Sequence, residues 1–179
     1  IVTNIAPDEE DLSRWDVQPT GGEYYTTPRS IYRTQVDVVL PSGHAVLNAE
    51  DELVADFAEQ CDGEVIFFAV DPANPVLVAH LAAGMRGVTV ADNRIVLRSG
   101  ADETRLCRLV DAPYIGKAKQ AKNIANVLAG IAAGWAMGLS QEVMTTGLKT
   151  FGLELADPAS LILQPAKKSQ PKKPATARK

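Results

Sequence analysis

The chain has 179 residues, of which 46% are hydrophobic and 22% charged, values that are ordinary for one soluble globular domain with a substantial core. Its net charge of −4 is uneven, because residues 167–179 carry six lysines and arginines and no acid, which leaves 12 basic and 22 acidic residues in 1–166. An acidic body argues against nucleic acid as a partner, and no apolar run approaches the roughly 18 residues that cross a membrane.

The cysteines and the N-terminus indicate the compartment. Cys61 and Cys107 lie far apart and fit no zinc or redox spacing, as expected of a reduced protein. The first residues lack the charged and apolar regions of a signal peptide. We therefore expect a cytoplasmic protein. Because the chain begins with Ile1 inside an apparent strand, we interpret it as a fragment or a processed product.

The first fifty residues predict three short strands around a polar excursion. Residues 1–6 are an apolar run that ends at a proline, as a strand ends in a loop. Residues 8–29 show little periodicity and predict irregular structure. Residues 35–40 are rich in β-branched side chains and predict a strand, and a turn at 41–44 leads to another strand at 45–47.

The middle of the chain alternates between helical and strand patterns. Residues 64–70 are almost continuously apolar, as in a strand buried on both sides of a parallel sheet. Gly84 is a typical C′ residue of a helix, and Asp92-Asn93 predicts a two-residue hairpin turn. The predicted elements are, in order, a helix at 51–60, a strand at 64–70, a helix at 74–83, strands at 88–91 and 94–97, and a strand at 103–109.

Two helices are predicted near the end of the folded part. The stretch 122–139 is rich in alanine and glycine, which let other groups approach a helix backbone closely. Residues 141–151 predict a second helix, and a loop that carries Pro113 and Gly116 is predicted ahead of both.

The whole pattern predicts an α/β fold with a largely parallel sheet flanked by helices. We assign residues 1–163 to one folded unit. Residues 164–179 are rich in lysine and proline and poor in apolar residues, so we expect a disordered basic tail.

The long predicted helix opens with the sequence Lys122-Asn123-Ile124-Ala125-Asn126. This sequence is similar to the His-Asn-x-x-Asn motif in the central domain of the Mur ligase family, with lysine in place of histidine. The resemblance implies that Asn126 contacts the adenine of ATP and that Asn123 belongs to the same site. A carboxamide offers both a donor and an acceptor, as an adenine edge requires. The alternative is that Asn123 only caps the helix.

A second motif carrying the resemblance is Leu47-Asn48-Ala49-Glu50-Asp51, which nearly matches the Leu-Asn-Ala-Asp-Asp of the family. It stands at a predicted strand end, where ligands gather in α/β sheets. Asn48 could therefore bond a ligand. Glu50 or Asp51 could instead cap the following helix, and for these acids helix propensity favours capping.

The third motif is Thr3-Asn4-Ile5-x-x-Asp8. The resemblance implies that Asn4 belongs to the nucleotide site. In the family this strand end continues Asp-His, and the histidine helps to hold Mg²⁺ near the phosphates. Glu9 stands in that place here and, as a hard oxygen donor, could still bind the metal. A lysine that the family carries on the following helix has no counterpart in residues 29–33.

The resemblance implies an ATP-dependent ligase that activates a carboxylate as an acyl phosphate for attack by an amino acid. Within the family, residues 45–51 and 61–68 are most similar to the Mur-ligase-like half of cyanophycin synthetases. This similarity implies arginine as the amino acid and an aspartate side chain on a peptide polymer as its acceptor. ATP and Mg²⁺ are the implied cofactors, and a homo-oligomer could form.

The phosphate-binding loop of the family, Gly-x-x-x-x-Gly-Lys-Ser/Thr, does not occur in these residues, and no catalytic residue is assigned. The family's last domain would begin soon after Phe151. We therefore interpret residues 1–163 as a partial Mur ligase central domain and expect the chain alone to be inactive. The alternative interpretation is a non-catalytic remnant or accessory domain that binds a nucleotide or a protein partner.

Overall fold

The structure, a computed structural model, describes residues 1–5, 28–118 and 121–151. The predicted irregular segment up to residue 27, Glu9 and the predicted disordered tail lie outside these residues. The helices are α1 Pro28–Asp37, α2 Glu52–Ala55, α3 Pro75–Ala82, α4 Pro113–Ala118, α5 Ala121–Ala136 and α6 Gln141–Thr150. The strands are β1 His44–Asn48, β2 Glu64–Ala69, β3 Arg86–Ala91, β4 Arg94–Ser99 and β5 Asp102–Arg108. Among the helices described, none is long and apolar enough to span a membrane.

The five strands form one sheet in chain order, β1 to β5. The pairs β1–β2 and β2–β3 are parallel, whereas β3–β4 and β4–β5 are antiparallel. The hairpin predicted at Asp92-Asn93 is present, and both residues have positive φ, 49° and 57°, as a type I′ turn requires. The α/β prediction is confirmed, with a parallel half and an antiparallel half in the sheet.

Each face of the sheet is covered by helices and has its own core. On one face, Ile66 and Phe68 pack with side chains of α4, α5 and α6. On the other face, Val65 and Phe67 pack with side chains of α1, α2 and α3. Each such side chain stabilises the fold by about 1.5–3 kcal/mol when fully buried. The predicted doubly buried strand is confirmed in β2.

The strand predicted at 35–40 is wrong. Helix α1 continues through Asp37, and the chain then turns toward β1. Tyr32 and Val36 pack in the core, and their spacing of four residues places them on one face of α1, while Val39 packs there from the turn that follows the helix. The β-branched composition that suggested a strand is therefore overridden by packing at helical period.

The loop predicted around Pro113 and Gly116 is also wrong, because α4 occupies it. Proline suits the first position of a helix, where its missing N–H would have no partner anyway. Helix α5 then begins at Ala121 and ends at Ala136, two residues before Gly138, whose φ is +76°.

Two further predictions are only partly right. The helix predicted at 51–60 is divided into α2 and a 3₁₀ segment, Asp56–Gln60. The strand predicted at 1–6 reduces, within the described residues, to one parallel bridge between Val2 and Leu47 beside β1. By contrast, α3 matches its prediction: Asn74 caps its start, and Gly84, with φ +83°, follows its end.

Candidate functional site

The side chain of Asn48 lies at the end of β1 and is used in holding the N-terminal segment. Its Nδ2 donates to the carbonyl oxygen of Thr3 at 2.8 Å, and its Oδ1 accepts from the backbone N–H of Glu50 at 2.9 Å. Both the carbonyl and the amide nitrogen of this carboxamide therefore bond backbone groups, which leaves one N–H for any ligand.

Asp51 caps α2, as the propensity of acids at helix starts predicts. Its Oδ1 accepts from the backbone N–H groups of Leu53 and Val54, each at 3.1 Å. Its Oδ2 accepts from the backbone N–H of Ile5 at 3.0 Å. One carboxylate thus satisfies two orphan donors of a helix and fixes the N-terminal segment.

Glu50 does not cap α2. Its Oε1 accepts from the backbone N–H of Asp71 at 2.8 Å, and Asp71 in turn accepts from the N–H of Ala73. Asn74 donates from Nδ2 to the carbonyl of Ala49 at 3.1 Å. These bonds join the end of β1 to the β2–α3 connection. We call Asn48, Glu50, Asp51, Asp71 and Asn74 the carboxyl-edge network.

Asn4 lies beside this network, is exposed, and accepts a hydrogen bond from the hydroxyl of its neighbour Thr3 at 3.1 Å. Glu9, the candidate metal ligand of the sequence, lies outside the described residues. Among the residues that the structure describes, no group of three or more His, Cys, Asp or Glu side chains is arranged to hold a metal ion.

A separate groove lies between α4, α5 and α6 and has a volume of about 510 Å³. We call it the helical groove. Of the described residues, Tyr114, Asn126, Val127, Gly130, Ile131, Gly134, Leu139, Val143, Met144, Gly147, Leu148 and Phe151 line it. None of these carries a charge, so the groove suits a neutral, largely apolar group rather than a phosphate.

Asn126 is the one side-chain amide among these lining residues. It is exposed, and its carboxamide makes no hydrogen bond to another described residue. Asn123 lies inside the first turn of α5, since the helix begins at Ala121, and it does not line the groove. The capping alternative for Asn123 does not match this position inside the helix.

Glycines keep the walls of the helical groove open. A Cβ built at Gly130 or Gly147 would meet no atom within 4 Å, so both positions present bare backbone beside free space. Gly134 is different, because its Cβ would lie 3.3 Å from Leu139. A flat ring could therefore approach the backbone of α5 and α6 near Gly130 and Gly147.

Aromatic and aliphatic side chains form the rim of the groove. The rings of Tyr114 and Phe151 are in contact, with centroids 5.1 Å apart and planes tilted by 57°. Phe151 is 62% exposed and Val143 is 54% exposed. Large apolar side chains that cluster at the surface beside a groove commonly mark a binding site.

The far end of α5 is anchored at the opposite edge of the sheet. The guanidinium of Arg86, at the start of β3, lies 4.8 Å from the ring centre of Trp135 near the end of α5. It also forms a two-point ion pair with Glu64, whose carboxylate lies 3.3 Å from Nε2 of His44. Helix α5 packs across β1, β2 and β3. Because its end lies at the start of β3, its first turns lie toward the carboxyl edge of these strands.

None of the described groups with shifted pKa values lines the helical groove. The hydrogen bond from Arg86 lowers the pKa of Glu64, and burial lowers the pKa of His80. Burial raises the pKa of the Cys107 thiol, and the hydrogen bond from Arg108 lowers the pKa of Asp111. The described lining of the groove contains no carboxylate, histidine, lysine or arginine, so it suits binding more than proton transfer.

No protein-family model matches the chain. Over 151 residues, or 84% of its length, the chain is 30% identical to the cyanophycin synthetase of Synechocystis sp.. Over 115 residues, or 64%, it is 32% identical to that of Crocosphaera subtropica. Over 147 residues, or 81%, it is 29% identical to the UDP-N-acetylmuramoylalanine–D-glutamate ligase of Symbiobacterium thermophilum. The chain is Mur-ligase-like. It spans 16%, 13% and 28% of these relatives, respectively.

The Mur-ligase-like sequence contains two motifs that the structure uses differently. The motif around Asn48 is built into backbone hydrogen bonds, whereas the carboxamide of Asn126 bonds no other residue in the described part of the chain. Sequence patterns did not reveal Tyr114 or its contact with Phe151, because the two residues are 37 positions apart in the chain and meet only in the folded structure. The signal that could have pointed to the groove is the spacing of Gly130 and Gly134, which places both on one face of α5.

Proposed function

We propose that this Mur-ligase-like chain supplies the adenine-binding part of an ATP-dependent ligase that joins an amino acid to a carboxylate. The observation that carries the proposal is the carboxamide of Asn126, which bonds no described residue and lies in a groove whose described lining has no charge. The relatives, named as synthetases and ligases, give the reaction class.

The helical groove suits an adenine ring in size and polarity. Its volume falls in the range of about 300–1,000 Å³ that is typical of ligand pockets. Apolar side chains and the open backbone at Gly130 and Gly147 can contact both faces of a flat ring. Asn126 can donate to a ring nitrogen and accept from an exocyclic amine at the same time.

Bound ATP would supply the phosphoryl group that activates the carboxylate, and residues of this chain would bind and orient the adenine. No Gly-x-x-x-x-Gly-Lys-Ser/Thr loop occurs in the sequence, so we assign no phosphate contact. Asn123 and Asn4 remain proposed contacts to the nucleotide. For Asn48 we propose an indirect role, because its bond to Thr3 holds the segment that carries Asn4.

The similarity to cyanophycin synthetases supports a more specific proposal for the whole reaction. Arginine would be the amino acid, and the side chain of an aspartate in a peptide polymer would be the acceptor. We propose Mg²⁺ as the metal, Glu9 as a candidate ligand and the cytoplasm as the compartment. We also propose that the active protein could be a homo-oligomer, as enzymes that act on polymers gain from several sites close together.

Binding of adenosine to the full chain, measured by calorimetry, tests the central proposal. Asn126→Ala should lower the affinity for adenosine about tenfold, since a lost pair of hydrogen bonds is worth roughly 1.4 kcal/mol. Alanine also favours helix, so the variant should fold at least as well as the parent. Gln141→Ala is the matched control, because it removes another exposed carboxamide that does not line the helical groove.

Guanosine should bind more weakly than adenosine, and Asn126→Ala should reduce that difference. Equal affinities of parent and variant for adenosine would remove Asn126 from the site. Turnover is a separate question, tested by ADP release from ATP with arginine and an aspartate peptide. Because we expect the chain alone to be inactive, absence of ADP release does not separate the two interpretations, whereas ADP release by the chain alone would exclude the accessory, non-catalytic alternative.

A further inference from the structure

Arg98 lines a small pocket on the face of the sheet opposite the helical groove. It lies on β4 beside Gly87 of β3, and Gly87 faces Leu77 and Leu81 of α3. The pocket has a volume of about 340 Å³, and its other lining residues are alanines, glycines, Val78 and Leu81. Arg98 is thus the one polar side chain among the described residues that line it.

This guanidinium has no partner among the described residues. Its Nε is buried and makes no hydrogen bond, and Arg98 forms no ion pair there. Arg98 as a whole is only partly buried, and its two terminal nitrogens are not among the buried unpaired atoms of the described residues. Buried donors are nearly always bonded in native proteins, so an arginine in this state calls for a physical explanation.

The neighbouring acids are already engaged by another arginine. Glu103 lies directly opposite Arg98 on β5, but its carboxylate accepts from Nε of Arg105 at 2.8 Å. Arg105 also donates to Asp92 at 3.2 Å. Two carboxylates therefore serve one guanidinium, and Arg98 is left with an unbalanced positive charge in a chain whose net charge is −4.

We propose that Arg98 and this pocket bind a carboxylate group carried on a short apolar stem. The planar fork of arginine matches the two oxygens of a carboxylate, and the aliphatic lining suits a hydrocarbon stem. A dianionic phosphate fits less well, because α3 ends beside the pocket at Ala83 and directs its negative carbonyl end there. The site is on the α3 face of the sheet and does not depend on the proposed nucleotide site.

Titration of the full, ¹⁵N-labelled chain with sodium butyrate, followed by NMR, tests this proposal. The Nε–Hε signal of Arg98 should shift and saturate, with a dissociation constant of about 1 mM for so small a ligand. Arg98→Gln should weaken binding at least about tenfold. Arg94→Gln should leave it unchanged, because it removes the same charge from the same strand outside the pocket.

Titrations with two different ligands distinguish the source of the carboxylate. Butyrate represents a free small molecule. The α-amide of N-acetylglutamate, which keeps the side-chain carboxylate, represents an acidic side chain of a protein. Saturable, Arg98-dependent binding of either supports the proposal, and the tighter ligand identifies the source. A linear shift that sodium chloride reproduces, or inorganic phosphate binding more tightly than both, would overturn it.

A variant that fills the pocket covers the case in which Arg98→Gln does not fold. Ala101 is exposed at the pocket and lies in the turn between β4 and β5. Ala101→Leu should occupy the space of the apolar stem and abolish saturation by butyrate while Arg98 is retained. Unchanged butyrate affinity in this variant would show that the pocket is not the site.

Discussion

In the carboxyl-edge network the carboxamide of Asn48 bonds two backbone groups, whereas in the helical groove the carboxamide of Asn126 bonds no described residue. Both asparagines belong to motifs with equal likeness to those of Mur ligases. The difference teaches that motif similarity alone does not identify a ligand contact. The hydrogen-bonding state of each side chain separates a residue that holds the fold from one that is available for binding.

The largest expected effect on stability comes from Asp51, the residue of the carboxyl-edge network with most bonds. Asp51→Ala removes the cap of α2 and the bond to Ile5, and should lower the free energy of unfolding by about 2 kcal/mol. Urea unfolding followed by circular dichroism measures this loss of unfolding free energy. Glu52→Ala is the control, since this neighbouring acid makes none of these bonds. Equal losses in the two variants would contradict the capping role.

Asn48→Ala tests the contrast between the two asparagines directly. Removing this carboxamide leaves the carbonyl of Thr3 and the N–H of Glu50 without partners, so stability should fall by about 1–2 kcal/mol. Adenosine affinity should fall less than in Asn126→Ala, because Asn48 acts on the nucleotide only through the segment that carries Asn4. A tenfold loss of adenosine affinity with unchanged stability would reverse the assigned roles of Asn48 and Asn126.

Much of the fold could be predicted where local chemistry and packing agree. The continuous apolar run of β2, the caps of α3 and the hairpin at Asp92-Asn93 each follow from residues that few other structures accommodate. The strand predicted at 35–40 failed because β-branched residues only weakly oppose a helix once their spacing matches a core. The helix α4 was missed because a proline at its start was taken as a sign of a loop.

The candidate site was less accessible to prediction from sequence. The motif at Asn126 indicated an asparagine on a helix, and this could be predicted because both features depend only on neighbouring residues. The groove itself needs three helices to meet, and the contact of Tyr114 with Phe151 has no local signature. The bond of Asn48 to Thr3, 45 positions away, was equally hidden, so sequence could not show that this carboxamide holds the N-terminal segment.

Acidic pH should weaken the fold without weakening adenosine binding in the helical groove. Burial holds the pKa of His80 below 6.5 in the folded state, so the unfolded chain binds a proton there first and stability falls below about pH 6.5. The pKa of Glu64 is also lowered, by its hydrogen bond to Arg86, so its contribution is present above pH 4.5 and is lost as pH falls further.

Urea unfolding at a series of pH values measures both steps, each with a slope of at most about 1.4 kcal/mol per pH unit. His80→Gln keeps a donor for the carbonyl of Val65 but cannot titrate, so the first step should disappear. Adenosine affinity of the folded chain should be unchanged between about pH 7.5 and pH 5.5, because the described lining of the groove contains no group that titrates there. A parallel fall of affinity and stability would place a titrating group at the groove.

The smallest effect on stability, with the opposite sign, is expected from Gly130→Ala. Alanine is favoured over glycine inside a helix, and its Cβ would meet no atom within 4 Å, so the variant should be about 0.5–1 kcal/mol more stable. The same methyl group projects into the helical groove and should lower adenosine affinity. Thr146→Ala is the control, since it raises helix propensity in α6 without lining the groove. A more stable chain that binds adenosine less well would show that the glycine is there for a ligand and not for the helix, whereas unchanged binding would place the adenine elsewhere.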